Sequence, residues 1–134
     1  MSQLSTEIEI RFSDLDAYGH VNNATFFTYL ETARVKFFRD RFAELMRSGI
    51  LFLVAEATCR YLQPIGLDDR VLIDVWADKV GRRSFTLGYR MHDGNDKVFA
   101  RAGTVMVCFD QKAGTPTALP DDFRNALTAL TPQD

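Results

Sequence analysis

Four segments of the chain alternate apolar and polar residues with a period of two, namely residues 7–12, 53–61, 71–78 and 85–91. In the first of them Ile8, Ile10 and Phe12 are separated by charged residues. This period is typical of β-strands that bury one face against a core. Residues 97–109 alternate little, and we interpret them as a fifth, central strand that is covered on both faces.

The segment from Asn23 to about Arg47 has the spacing of an α-helix instead. Its apolar residues recur three and four positions apart and include Phe26, Leu30, Ala33, Phe37 and Leu45. Either Asn22 or Asn23 can cap its start, and Gly49 is a stop signal. The pattern predicts one long helix that is bent or broken near Arg39.

The remaining segments complete an α+β layout. Residues 92–96 contain an Asp-Gly pair and predict a hairpin turn, and residues 120–130 predict a short C-terminal helix with acidic residues in its first turn. The order is a strand, a long helix, and then four strands that we expect to form an antiparallel meander. A helix this apolar must be covered, so residues 1–134 predict a single domain in which a five-stranded sheet wraps around one central helix.

Composition and charge exclude several classes of function. The 134 residues are 46% hydrophobic and 25% charged, with a formal net charge of −2. Such a chain has no general attraction to nucleic acid or to an anionic membrane surface. We find no secretory signal pattern and no apolar run long enough to span a bilayer, so we expect a cytoplasmic protein.

The two cysteines give no sign of a metal or redox site. Cys59 and Cys108 stand far apart, and neither has a second cysteine or a histidine close to it in the sequence. Both are expected to be reduced core thiols, and no metal site is predicted.

One segment carries a recognisable motif. Residues 14–23 read Asp-Leu-Asp-Ala-Tyr-Gly-His-Val-Asn-Asn, and residues 26–34 read Phe-Phe-Thr-Tyr-Leu-Glu-Thr-Ala-Arg. Together they resemble the signature of the 4-hydroxybenzoyl-CoA thioesterase family, and the order of elements is similar to that family's hotdog fold. The resemblance implies an acyl-CoA or acyl carrier protein thioesterase that works without a further cofactor. It also implies a homodimer or homotetramer with active sites at the subunit interface.

The resemblance also implies two site residues. Asp16 matches the catalytic carboxylate of the family, and the backbone N–H of Asn23 matches the donor to the thioester carbonyl. The second assignment agrees with simple physics, because a helix N-terminus has unpaired N–H groups and a partial positive charge that stabilise an oxyanion. The side chain at Asn23 is not needed for that donor, and its identity leaves the acyl specificity open.

Other readings of the motif stay open. Asp16 can be a simple turn residue, since aspartate is common in loops, and Asp14 is expected to be structural. His20 can be a general base, although we favour a histidine that holds the loop by a hydrogen bond. Because hotdog dehydratases also carry a Gly-His pair before the central helix, a hydratase or dehydratase is the alternative enzyme. A non-catalytic acyl-CoA binding module is the alternative outside enzymes.

Two further groups of charged residues need an interpretation. Lys79, Arg82 and Arg83 surround Gly81, and we predict that Arg82 and Arg83 bind the phosphates of coenzyme A, because arginine forks suit phosphate. The alternative is a solvated connection between strands. Glu31 and Arg34 are three apart on the predicted helix and are expected to pair with each other or with the loop.

Overall fold

The computed structural model describes residues 4–132. Its strands are β1 (Leu4–Ile8), β2 (Ile50–Tyr61), β3 (Val71–Val80), β4 (Ser84–His92), β5 (Val98–Asp110) and β6 (Thr115–Pro116). Its helices are α1 (Asn23–Arg47) and α2 (Asp121–Thr128). The strands form one antiparallel sheet in the order β1-β3-β4-β5-β2, with β6 beside β5, and α1 packs against it. This is the predicted α+β hotdog architecture.

Helix α1 has the predicted bounds. The Asn22 side chain caps it by accepting a hydrogen bond of 2.9 Å from the Ala24 N–H. The helix continues through Arg39 without the break that we considered. It ends before Gly49, whose φ of +85° favours glycine. The face turned to the sheet is buried and comprises Phe26, Tyr29, Leu30, Ala33, Arg34 and Phe38.

The predicted four-strand meander is wrong in one respect. Among the four strands β2 to β5, consecutive pairing holds only for β3, β4 and β5, whereas β2 pairs with β5. Residues 62–70 carry the chain from β2 at one edge of the sheet towards β3 near the other. Pairing with β5 gives β2 one neighbour only, so its other edge is open within this chain.

Strand β5 is internal, as predicted, but it is not covered on both faces. Its inward residues are buried, including Phe99, Thr104, Met106 and Cys108, while Arg101 on the other face is exposed. No helix of the described chain packs on that outer face. The weak alternation reflects small or apolar residues on a face that the single chain leaves partly open.

The first strand lies earlier in the chain than predicted. β1 ends at Ile8, and Phe12 belongs to a short 3-10 turn, Phe12–Asp14, with its side chain 80% exposed. The alternation of Ile8, Ile10 and Phe12 therefore predicted the correct element with the wrong bounds.

The predicted C-terminal helix is confirmed as α2, which places Phe123 in an aromatic cluster with Phe38, Phe42, Phe52 and Phe85.

Two smaller predictions concern the turn after β4 and the cysteines. The Asp-Gly turn connects β4 to β5, and Gly94 adopts a φ of +87° there. Cys108 is buried, Cys59 is half-buried, and both are free thiols. Among the described residues, neither helix is long and apolar enough to cross a bilayer.

Candidate active site

The loop before α1 folds into a tight turn around Asp16. The Asp16 N–H donates a 2.7 Å hydrogen bond to the carbonyl oxygen of His20, and the Gly19 N–H donates a 3.0 Å bond to the carbonyl oxygen of Asp16. Gly19 has a φ of +78°, a conformation that glycine adopts without strain. The turn holds Asp16 and His20 opposite each other at the start of the helix.

The Asp16 carboxylate is oriented by main-chain donors. Its Oδ1 accepts hydrogen bonds from the N–H groups of Tyr18 at 2.9 Å and His20 at 3.3 Å. Its Oδ2 has no hydrogen-bond donor among residues 4–132. One oxygen therefore fixes the group and the other is available to a ligand or to water.

The start of α1 lies beside this carboxylate. Asn22 caps the Ala24 N–H with its side chain, and its carbonyl oxygen accepts from the Thr25 N–H at 2.9 Å. The Asn23 N–H has no acceptor within the part of the chain that the structure describes. It is thus an open donor at the positive end of a helix of 25 residues.

A cleft brings these groups together. Its volume is about 250 Å³, and it is lined by Asp16, His20, Asn23, Phe26, Tyr61 and Gln63, with adjoining residues of the same segments. Tyr61 reaches across from the end of β2, where its hydroxyl donates a 2.8 Å hydrogen bond to the Asn23 carbonyl oxygen. Its ring packs edge-on against Phe26 with a centroid distance of 4.8 Å. The sequence did not single out Tyr61, because the contact joins positions that are 38 residues apart.

Asp14 has the structural role that the sequence predicts. It is buried and accepts hydrogen bonds from the Arg11 N–H at 3.0 Å and from the Tyr29 hydroxyl at 2.7 Å. Desolvation by burial acts to raise the pKa of Asp14, but these hydrogen bonds and the Arg11 charge together hold that pKa below its ordinary value. Asp14 does not line the cleft that contains Asp16.

The main chain of His20, rather than its imidazole, holds the loop. The His20 carbonyl and N–H both bond to Asp16, and His20 forms an isolated bridge with Gly66. The exposed imidazole lines the cleft and makes no hydrogen bond among residues 4–132. The predicted loop-holding bond of the side chain is therefore not observed.

Arg82 and Arg83 lie far from this cleft within one chain. They occupy the turn between β3 and β4, where the Arg83 carbonyl accepts from the Cys108 N–H near the end of β5. Tyr61 of the cleft pairs with Ala100 near the beginning of β5. Eight residues of strand separate these two ends, which is about 25 Å.

A second cavity lies further along α1. It has a volume of about 310 Å³ and is lined by Phe27, Glu31, Arg34, Val54, Ala57 and Thr104, together with Thr28. As predicted, Arg34 faces Glu31, with 4.0 Å between Nη2 and Oε2. Arg34 also donates a 3.3 Å hydrogen bond to the Tyr89 hydroxyl.

Comparisons with known proteins agree on one family. The model of the thioesterase-like superfamily matches residues 10–127. The long-chain acyl-CoA thioesterase FadM of Escherichia coli is 30% identical, over 95% of this chain and 98% of that protein. The acyl-CoA thioester hydrolase YbgC, also of Escherichia coli, is 28% identical over 84% of this chain and 87% of its own. A predicted thioesterase from Bacillus stearothermophilus has a solved structure with a TM-score of 0.88 at 26% identity, covering 98% of both chains.

Proposed function

This chain belongs to the thioesterase-like superfamily and is a hotdog-fold thioester hydrolase, and from this premise we propose that it cleaves acyl-CoA in the cleft between Asp16 and the start of α1. The observation that carries the proposal is the juxtaposition of a carboxylate with a free oxygen and an open helix N-terminus in one cleft. The motif further supports membership of the 4-hydroxybenzoyl-CoA thioesterase family within this superfamily.

The two groups have complementary roles in hydrolysis. The thioester carbonyl oxygen accepts a hydrogen bond from the Asn23 N–H, and the helix dipole stabilises the negative charge that develops there. Asp16 supplies the base or the nucleophile from the other side of the carbonyl carbon. Water adds to that carbon, the carbon–sulfur bond breaks, and the products are a carboxylic acid and the free thiol of coenzyme A.

Two routes use this geometry. In one, the Oδ2 atom of Asp16 takes a proton from water as the water attacks; in the other, it attacks the carbonyl carbon and forms an anhydride that water then hydrolyses. Incubation with acyl-CoA in H₂¹⁸O under single-turnover conditions detects an anhydride that water opens at the carboxyl carbon of Asp16. An anhydride opened at the enzyme carbonyl leaves one ¹⁸O in Asp16, whereas the general-base route leaves none there.

A cavity along α1 is our candidate site for the acyl group. The cavity begins one helical turn beyond Asn23, and its apolar residues Phe27, Val54 and Ala57 provide the kind of surface that acyl sites usually have. Arg34 at its far side adds a polar group. We propose that this cavity receives the acyl chain.

The open edge of β2 supports a homodimer. β2 has a neighbour on one side only, and Leu53, Val54 and Tyr61 on it are 45%, 48% and 42% exposed. An exposed apolar edge of this kind is suited to pairing with a second copy. We propose a dimer in which the β2 strands pair antiparallel; a homotetramer is two such dimers.

The same pairing gives Arg82 and Arg83 a role that they lack in one chain. In an antiparallel β2 pair, the start of one β2 lies beside the end of the other. The β3–β4 turn of the second copy is then at the same end of the joined sheet as the cleft of the first. Arg82 and Arg83 can therefore reach coenzyme A phosphates only across this dimer.

A panel of substrates tests the function. Release of thiol from short, long and aromatic acyl-CoAs, and from an acyl carrier protein thioester, is followed with a thiol reagent. We expect turnover of at least one acyl-CoA. Hydration of a 2-enoyl-CoA without thiol release would support the dehydratase reading that His20 raises, and tight binding without either reaction would support a binding module.

A further inference from the structure

A row of arginines crosses the outer face of the sheet. In the register of the strands, Arg60 of β2 lies opposite Arg101 of β5, and Arg101 lies opposite Arg90 of β4. Arg90 in turn lies opposite Asp74 of β3. Directly opposed residues share one face, and neighbouring strands are about 5 Å apart, so the three arginine side chains leave the same face at neighbouring positions.

Most of this positive charge is unmatched. Arg90 pairs with Asp74 at 3.4 Å, but that carboxylate also takes hydrogen bonds from Ser5 and His92. Arg60 and Arg101 are exposed and make no ion pair or side-chain hydrogen bond within residues 4–132. Like charges directly opposed across strands are destabilising, so this row favours a bound anion.

Beside Arg60 and Arg101 the flanking rows on the same face carry no acidic residue; Glu7 of β1, in one of these rows, lies opposite Leu72 and pairs with Arg70. One row reads Glu7, Leu72, His92 and Val98; the other reads Trp76, Gly88, Gly103 and Thr58. The missing side chain at Gly103 leaves the guanidinium of Arg101 open on that side. At Arg60 and Arg101 an anion therefore meets Thr58, Gly103 and Val98 rather than a carboxylate, because Asp74 and Trp76 lie on β3 at the other end of these rows.

The row is next to the cleft. Arg60 immediately precedes Tyr61, whose hydroxyl contacts Asn23 on the inner face. The path from the cleft around the end of β2 to the row is thus about as long as one strand and its side chains are thick. In the same chain, Arg82 lies about 25 Å from the cleft.

We propose that Arg60 and Arg101, with Arg90 beside them, bind the phosphate groups of coenzyme A on the outer face of the sheet. This rests on the proposed function, since the pantetheine arm must start at the Asp16 cleft. Coenzyme A carries a pyrophosphate and a 3′-phosphate at the end of that arm. Guanidinium groups in a fixed row match such paired phosphates through bidentate hydrogen bonds.

The test compares two substrates that differ only in their phosphates. The double variant Arg60→Gln/Arg101→Gln is assayed with an acyl-CoA and with the corresponding S-acyl pantetheine. We expect KM for the acyl-CoA to rise about 10-fold with kcat nearly unchanged, because phosphate contacts stabilise ground and transition states alike. Hydrolysis of the acyl pantetheine should stay within about twofold of the parent.

A matched control distinguishes the loss of phosphate contacts from the loss of net positive charge. Arg39→Gln/Arg41→Gln removes the same two charges from exposed positions of α1, about 24 Å or more from Asn23. It should leave KM for the acyl-CoA within about twofold, since screened charges at that distance act weakly. An equal rise in the control, an equal rise for the acyl pantetheine, or a rise confined to Arg82→Gln/Arg83→Gln would overturn the proposal.

A direct binding measurement tests this inference independently of the proposed thioesterase function. Adenosine 3′,5′-bisphosphate contains phosphates but no thioester, and calorimetry measures its Kd for the parent protein and for Arg60→Gln/Arg101→Gln. Weaker binding to the variant supports phosphate binding by the arginine row even if the parent fails to release thiol. Equal binding to both proteins refutes phosphate binding by the row even if the parent is an active thioesterase.

Discussion

The hydroxyl of Tyr61 donates a 2.8 Å hydrogen bond to the main-chain carbonyl oxygen of Asn23, joining the end of β2 to the first residue of α1. The carbonyl belongs to the same residue whose N–H is the open donor of the cleft. Tyr61 therefore fixes the peptide geometry around the proposed oxyanion site without contacting the reacting carbonyl through its own hydroxyl. It is a positioning residue for the helix N-terminus.

Tyr61→Phe should lower kcat by about threefold to tenfold, because a single neutral hydrogen bond is worth about 0.5–1.5 kcal/mol. KM should change less, since the ring remains packed on Phe26. Tyr18→Phe is the control, because Tyr18 is 86% exposed and contacts Asp16 through its main chain only. Equal kcat values for the two variants in steady-state assays would show that the Tyr61 hydroxyl has no positioning role.

The predictions from the sequence were most accurate for features that neighbouring residues determine. Asn22 supplies the cap and Gly49 the stop of α1, and both act through neighbouring residues, so the helix bounds were correct. The Asp-Gly turn after β4 is equally local. The structural role predicted for Asp14 is confirmed by its buried hydrogen bonds, whereas Asp16 lines the cleft and its catalytic role stays a prediction.

Contacts between residues that are far apart in the chain could not be predicted from the sequence. The pairing of β2 with β5 depends on how residues 62–70 cross the fold, and no local pattern encodes that crossing. Phe12 continues the alternation in the sequence, but strand pairing ends at Ile8. A short periodic run does not show where strand pairing ends. The contact of Tyr61 with Asn23 and the row of Arg60 and Arg101 likewise arise only when distant segments meet.

The dimer can be tested at the open edge of β2. The parent should have twice the 15.2 kDa chain mass, or four times for a tetramer, by light scattering at micromolar concentration. Val54→Lys should shift it towards the monomer, because a charge on an apolar edge opposes strand pairing. Leu67→Lys, at an apolar residue that is 47% exposed outside the strands, should not. A parent protein that scatters only as a monomer would refute the proposed interface.

Asp14 should contribute stability that depends on pH. Its carboxyl pKa is held below the ordinary 3.8 in the folded state, so ionisation favours the folded state above that pH, and the advantage is lost as pH falls through the lowered value. Asp14→Asn should therefore reduce the free energy of unfolding by about 1–3 kcal/mol at pH 7. Urea unfolding should show a smaller difference between parent and variant at pH 3 than at pH 7. A difference that grows on acidification would contradict the hydrogen-bond account of Asp14.

Asp16→Asn is the decisive change for the proposed chemistry. An asparagine Oδ1 can still accept the N–H groups of Tyr18 and His20, so the turn should persist. What disappears is the negative charge and the basicity of the other oxygen. We expect kcat to fall about 100- to 10,000-fold if Asp16 is a general base, and further if it is the nucleophile. Saturating acyl-CoA and a thiol-release assay measure kcat, and circular dichroism verifies folding.

Two comparison variants complete the Asp16 experiment. Folded Asp14→Asn should retain most of its kcat, because Asp14 is buried against Tyr29 and does not line the cleft. His20→Ala should keep part of the thioesterase activity, since the His20 main chain, which the substitution preserves, makes the hydrogen bonds that orient Asp16. A dehydratase that uses imidazole as its base would lose nearly all activity instead. If folded Asp16→Asn hydrolyses acyl-CoA within about threefold of the parent, a barrier change of only about 0.7 kcal/mol, Asp16 is not the catalytic carboxylate.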